Sequence, residues 1–306
     1  MTAYFVRRLA RAVTTLLGTT LIVFVLVRVV SANPAVSIAG PKADPETLAR
    51  IRKDLGLDDP VLVQYGRYVA RIVHGDLGES YLTGRRVTDV ILSRLPATAL
   101  LGLTSLAIGF LGGLVIGLFT AARHGSLTDI AVLVVSLVAL SLPTVWVGNL
   151  LIYAFGFRMG VLPLGGYGTV EHLVLPAATL AFGVFFFYAR FVHTNVAGTL
   201  GSDYVRTARA KGAPPVRIYL RHALRNALIP IVTILGLDVA SLMSGVVLTE
   251  TLFNWPGLGR MAVQAVFSLD VPLLAGTVLF SAALVLVCNL VVDLLYGAID
   301  PRVQRG

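Results

Sequence analysis

The chain has 306 residues, 56% apolar and 13% charged, with a net charge of +9 and a mean hydropathy of +0.83. Soluble domains hold about 45–50% apolar and about 25% charged residues, so this composition argues for lipid and against a disordered or purely soluble chain. The single Cys288 excludes an intrachain disulfide, a cysteine-based zinc site and a four-cysteine iron–sulfur cluster.

A spanning helix needs about 20 mostly apolar residues. Six stretches qualify, at about 9–30, 98–122, 128–157, 173–191, 229–252 and 273–297. The third is long enough to tilt or bend, and Pro143 removes one backbone donor inside it. The first could be a secretory signal, with Arg7, Arg8 and Arg11 before the apolar run and Val30-Ser31-Ala32 as the cleavage site. Its run from Ala12 to Val27 is close to a full span, and we read it as a retained helix.

Threading six spans with the N-terminus inside puts thirteen basic and two acidic residues on the inner side. The long outer loop 31–97 is almost balanced, with nine basic and eight acidic residues. The positive-inside rule therefore gives N-in and C-in, and accounts for the basic charge without nucleic acid. The resulting division is an inner tail and first span (1–30), an outer helical insertion (31–97), a five-helix core (98–297) containing an inner loop at about 190–228, and an inner tail (298–306). In the insertion, Asp44-Pro45-Glu46 reads as N-cap, first-turn proline and first-turn acid of a helix stopped by Gly56. A second helix follows from about Pro60 to His74.

No lysine follows a glycine, so a phosphate-cradling Gly-Lys-Ser/Thr loop is missing, as are HExxH, CxxC, GxSxG and GxGxxG. The histidines (His74, His124, His172, His193, His222) form no i,i+3 or i,i+4 pair and read as solvated or interfacial side chains. Neither a catalytic residue nor a resident cofactor or metal is expected in this chain.

The inner loop carries the strongest local pattern, GSDYVRTARAKGAPPVRIYLRHALRNALIP from Gly201 to Pro230. A short helix bears Asp203, Arg206 and Arg209 at spacing three. Gly212 breaks it, and Pro214-Pro215 can start a second helix with Arg217, Arg221 and Arg225 in a stripe. One reading is an interfacial helix whose arginines meet anionic lipid head groups. The glycine at its centre favours a rigid hairpin that passes a push from a soluble partner into the bundle.

This stretch resembles the cytoplasmic loop of permease subunits of ABC importers, built on Glu-Ala-Ala, three residues and Gly. Arg206-Thr207-Ala208 takes the first place and Gly212 the last. Arginine replaces the acid, and the usual later Leu-Pro is replaced by Ile229-Pro230. The whole chain resembles the B-type permease of dipeptide/oligopeptide importers. The motifs carrying this are Tyr4-Phe5-Val6-Arg7-Arg8-Leu9, Leu55-Gly56-Leu57-Asp58, Gly75-Asp76-Leu77-Gly78, Leu162-Pro163, Glu250-Thr251-Leu252-Phe253 with Pro256-Gly257-Leu258-Gly259, and Asp293-Leu294-Leu295-Tyr296 with Asp300-Pro301-Arg302.

The resemblance implies an all-α, six-span type I ABC importer permease in the inner membrane of a bacterial-type cell. It also implies several partners: a second homologous permease, cytoplasmic ABC ATPase subunits holding ATP and Mg²⁺, an extracytoplasmic solute-binding protein and membrane lipid. Cargo would be dipeptides or oligopeptides, or haem or a metal chelate. Asp203, Tyr204, Arg206, Thr207, Ala208, Arg209, Lys211 and Gly212 become the ATPase-coupling segment. Arginine at 206 calls for an acidic or neutral partner there.

Ionisable residues inside spans are functional candidates by default. Asp238 either lines the cargo path, meeting a peptide amine, or pairs with a polar group in the bundle. Glu250 and Asp270 are expected near the outer mouth, in reach of the binding protein or cargo. Arg28 snorkels to the outer interface. Gly109, Gly113 and Gly117 form a small-residue stripe, for packing within the chain or against a partner. Two other classes remain, an ion-coupled secondary transporter, which calls for broken helices in matching halves, and a membrane haem or redox protein, which calls for paired histidines.

Overall fold

The computed structural model describes residues 2–30, 44–54, 56–214, 217–219, 224–243 and 246–299. In chain order its helices are α1 (Thr2–Val30), α2 (Pro45–Asp54), α3 (Val61–Val73), α4 (Val87–Ala122), α5 (Leu127–Ser141), α6 (Thr144–Leu151, continued by a π-helical stretch Ile152–Arg158), α7 (Val170–Leu200), α8 (Asp203–Ala210), α9 (Arg225–Met243), α10 (Val247–Leu252), α11 (Leu258–Phe267) and α12 (Val271–Ile299). Among the described residues there is no strand, only one bridge between Glu79 and Arg86.

Four helices are long and apolar enough to cross a membrane, within α1, α4, α7 and α12. The other two expected spans take different forms. The stretch 128–157, expected to tilt or bend, is bent: α5 and α6 meet at 96°. The cause is local: a residue before proline is pushed out of the helical region. Leu142 has ψ 130° and Pro143 has ψ 133°, so the chain runs extended across the break. The stretch 229–252 is described as α9 up to Met243 and α10 from Val247, with the non-helical Val246 before α10. The apolar part of α9, Pro230–Leu242, is shorter than a bilayer crossing needs.

The centre of the molecule is the pairing of α4 with α7. Its cause is the glycine stripe of α4, which removes side chains where α7 must approach. A Cβ on Gly113 would stand 2.6 Å from the Phe185 carbonyl oxygen, and one on Gly117 would stand 2.7 Å from that of Ala189. The stripe therefore serves packing within the chain. Around it a core forms from Leu106, Tyr188, Val192, Val196, Ala227 and Ile231, joining α4, α7 and α9.

The outer insertion folds locally as its sequence reads. The Thr47 amide donates to Asp44 Oδ2 at 2.9 Å, capping α2, and Gly56 adopts φ +61° beyond its end. The α3 helix lies against α1, where Tyr65 donates to the Leu17 carbonyl at 3.0 Å and Phe24 packs edge-on to Tyr65. Arg28 donates to Gln64 Oε1 at 3.2 Å, so it is tied to α3 at the end of its span.

Candidate functional site

At the end of α7 the chain turns through Gly201 and Ser202 into α8. One side chain of α8, Val205, is fully buried and anchors the helix. Asp203, Tyr204, Arg206, Thr207, Arg209, Lys211 and Gly212 are exposed, and Ala208 is half-buried. Arg206 Nη1 lies 3.7 Å from Asp203 Oδ1, with both side chains in solvent. An exposed pair of this kind is worth about 0–1 kcal/mol, so both charges are available to a partner at little cost.

The end of α8 is built more firmly. The Gly212 amide donates to the Arg209 carbonyl at 2.9 Å, and the Ala213 amide reaches back to the Ala208 carbonyl at 3.1 Å. This is a Schellman termination, which needs a left-handed residue, and Gly212 supplies it with φ +76°. Beyond it, Arg209, Ala213, Ile218 and Tyr219 line a cavity of ≈ 340 Å³. Tyr219 donates to the Ala122 carbonyl at 3.3 Å, tying the second arm to the end of α4. The basic stripe expected on that arm falls largely outside the described residues: Arg217 is exposed, Arg221 is outside them, and so is the side chain of Arg225. The tail motif Asp300-Pro301-Arg302 is outside them too.

Deeper in the bundle, Asp238 finds a partner. Tyr188, buried on α7, donates its hydroxyl to Asp238 Oδ2 on α9 at 2.7 Å. Phe110 packs edge-on to Tyr188 at 5.0 Å between centroids. Of the two sequence readings of Asp238, the geometry supplies the polar partner. The half-buried carboxylate lies at the meeting of α4, α7 and α9.

Glu250 and Asp270, expected near an outer mouth, are both buried. Glu250 is 0% exposed and takes the Thr98 hydroxyl at 2.8 Å and the Arg260 amide at 2.9 Å. Thr98 in turn accepts the Leu258 amide, and the Trp255 indole donates to the Ala97 carbonyl at 2.9 Å. Gly257 is required here, since a Cβ would collide with the Glu250 carboxylate. The segment α10–α11 is thus seated on α4. Asp270 is 1% exposed and caps α12 through the Leu273 amide, while also accepting from the Ser80 hydroxyl and the Tyr81 amide. Burial, and then the Asp270 charge, pushes the Tyr81 hydroxyl above its usual range. Desolvation sets the requirement for both: a buried carboxylate persists where several donors satisfy it.

One further grouping was not visible in local spacing. His193 is 5% exposed, unlike a solvated or interfacial histidine, and its Nε2 lies 2.9 Å from Asp129 Oδ1. His124 Nδ1 lies 3.2 Å from Asp129 Oδ2. Thr98, Tyr188 and Ser80 were likewise missed as partners. They are ordinary hydroxyl residues, and only the fold brings them to a carboxylate.

Two sequence families match the chain. Residues 113–305 match the family described as binding-protein-dependent transport system inner membrane component, and residues 1–102 match the N-terminal family of such membrane components. The chain is 38% identical over 304 residues to the glutathione transport system permease protein GsiC of Salmonella paratyphi A, covering 99% of each. It is 37% identical over 312 residues to a peptide transport system permease protein of Brucella suis biovar 1, again covering 99% of each. Among solved structures, an inward-facing form of the MetNI methionine ABC transporter superposes with a TM-score of 0.58 at 18% identity, covering 69% of this chain and 96% of that one. That likeness concerns the fold.

Proposed function

We infer the role from one premise: the chain belongs to the family of inner-membrane components of binding-protein-dependent transport systems. It is a multi-pass inner-membrane permease of an ABC importer, and ATP hydrolysis belongs to a separate subunit in this family. Its cargo is of the peptide class, the class named for the relatives that match it end to end. An ion-coupled secondary transporter is not favoured by these matches.

The observation that carries the finer reading is α8, short, charged and largely exposed, anchored through the buried Val205, following α7 and stopped by Gly212. Such a helix suits docking on an ATPase subunit, with Asp203, Tyr204, Arg206, Thr207, Ala208, Arg209, Lys211 and Gly212 as the coupling segment. ATP with Mg²⁺ closes the ATPase pair. The docked helices move with it, and the tightly packed α4–α7 pair reorients as a unit. Nucleotide acts by favouring one of two access states, and its differential affinity sets the shift.

A second, homologous permease completes the pathway in this reading, and an extracytoplasmic binding protein delivers cargo. Asp238 is a candidate pathway residue, and Glu250 and Asp270 shape the outer mouth from within. Reconstitution tests the whole. The chain, co-purified with its companion permease and ATPases, takes up labelled peptide into proteoliposomes only with binding protein and ATP. Peptide uptake by this chain alone under a proton or sodium gradient sinks the reading.

A further inference from the structure

The turn joining α4 to α5 and the inner half of α7 hold three side chains whose donor atoms all lie within 4.8 Å of one another: His124, Asp129 and His193. His124 in the turn and Asp129 in the first turn of α5 lie five residues apart, and His193 of α7 meets them at the end that carries the basic loop. Asp129 is 2% exposed and His193 5%, whereas the His124 side chain is 67% exposed. The cluster therefore has a closed floor and one open side.

Its hydrogen bonding is incomplete. The Gly125 amide donates to Asp129 Oδ2 at 2.9 Å, which fixes the carboxylate. Asp129 Oδ1 and both ring nitrogens of His193 have no hydrogen-bond partner, although Nε2 and Oδ1 face each other across 2.9 Å. Buried polar atoms left without partners are rare and call for a physical cause. The two atoms are close enough to pair but are not aligned for a hydrogen bond, and a cation lying off the line between them would satisfy both. His124 Nδ1 reaches the other oxygen, Asp129 Oδ2, at 3.2 Å, so both imidazoles meet the one carboxylate. Three donors converging on one point can share a cation.

We propose that His124, Asp129 and His193 bind a divalent transition ion of the zinc class, with a fourth position open to water on the His124 side. Two imidazoles and a carboxylate suit such an ion, with metal–ligand distances of about 2.0–2.2 Å. Tetrahedral ligands at that radius stand about 3.3 Å apart. Asp129 turns Oδ2 to His124 at 3.2 Å and Oδ1 to His193 at 2.9 Å. One ligand atom from each residue lies within 4.8 Å of the others, so small side-chain shifts bring the three onto one ion. The Gly125 amide acts as the outer-shell partner that orients the carboxylate. The bound ion would pin the α4–α5 turn to α7, which runs on from His193 directly into α8. It would thus stiffen the base of the coupling helix.

The test uses the full chain in detergent micelles, purified without a histidine tag, stripped with chelator and equilibrated with micromolar zinc. One zinc per chain is expected. His193→Gln abolishes binding, and His124→Ala, at an exposed position, weakens it by about tenfold or more. His74→Ala and His172→Ala leave it unchanged. Cobalt in place of zinc gives the visible absorption of a tetrahedral site, lost in His193→Gln. A wild-type chain that retains no zinc would show the short contact to be an imidazolium–carboxylate pair and overturn the proposal. Equal zinc binding by wild type and His124→Ala overturns it as well, even if His193→Gln fails to fold.

Discussion

The Thr98 hydroxyl donates to Glu250 Oε1 at 2.8 Å while accepting the Leu258 amide at the same distance, so one side chain of α4 holds both α10 and α11. Neither residue is more than 1% exposed. Removing the hydroxyl strands a buried carboxylate lone pair and a buried amide together. Thr98→Val keeps the shape and is expected to lose about 1–3 kcal/mol, read as a lower denaturation midpoint for the detergent-solubilised chain. Thr98→Ser should recover most of it. A Thr98→Val midpoint equal to wild type rules out the clamp.

Close packing of α4 on α7 makes a second, paired prediction. Gly113→Ala places a methyl group 2.6 Å from a backbone oxygen. Backbone cannot rotate away as a side chain could, and overpacking of this kind typically costs about 1–3 kcal/mol. Gly183→Ala, on α7 with nothing within 4 Å of the new Cβ, should leave stability unchanged. The comparison needs only thermal unfolding of the two purified variants. Equal melting of both variants would mean that the stripe is not the contact surface.

The Tyr188–Asp238 hydrogen bond joins α7 to α9. A double-mutant cycle of Tyr188→Phe and Asp238→Asn should show a coupling of about 0.6–1.7 kcal/mol, the range measured for hydrogen bonds between membrane helices. Asp238→Asn should also alter peptide uptake while leaving the assembled complex intact on size exclusion. Uptake of every cargo at the wild-type rate would remove Asp238 from the pathway.

Gly212 offers a test of coupling. Nothing lies within 4 Å of a Cβ built there, so Gly212→Ala is resisted by its left-handed backbone alone, at roughly 1–2 kcal/mol. The hairpin should loosen while the bundle stands, lowering peptide taken up per ATP hydrolysed in proteoliposomes. Gly198→Ala, helical and also in open space, is the control. A wild-type ratio of uptake to hydrolysis in Gly212→Ala would detach this turn from the transport cycle.

Features set by nearest neighbours were legible in the sequence. Gly212 as a helix stop, Asp44 as a cap and the apolar length of α1, α4, α7 and α12 all depend on residues within a few positions. The glycine stripe was legible as a packing surface, but not which helix it would meet. Pro143 was visible too. Hydropathy, however, counts apolar residues without seeing the extended backbone a proline imposes before it, so a bend was legible at Pro143 but not its 96° size. The burial of Glu250 and Asp270 was not legible for a different reason. A carboxylate near a span end reads as exposed until its donors are known, and those donors, Thr98 and Ser80, lie 152 and 190 residues away. The convergence of Asp129 with His193 was hidden in the same way.

The Ser80–Asp270 bond has a bearing on biosynthesis. Its two halves are made 190 residues apart, so the outer loop leaves the ribosome long before the acid that receives it. Until the last helix has been inserted, that loop lacks its receptor and α4 lacks its neighbour there. Truncation of the C-terminal helix should therefore expose a site far upstream to protease, and the final insertion step becomes the one that locks the periphery.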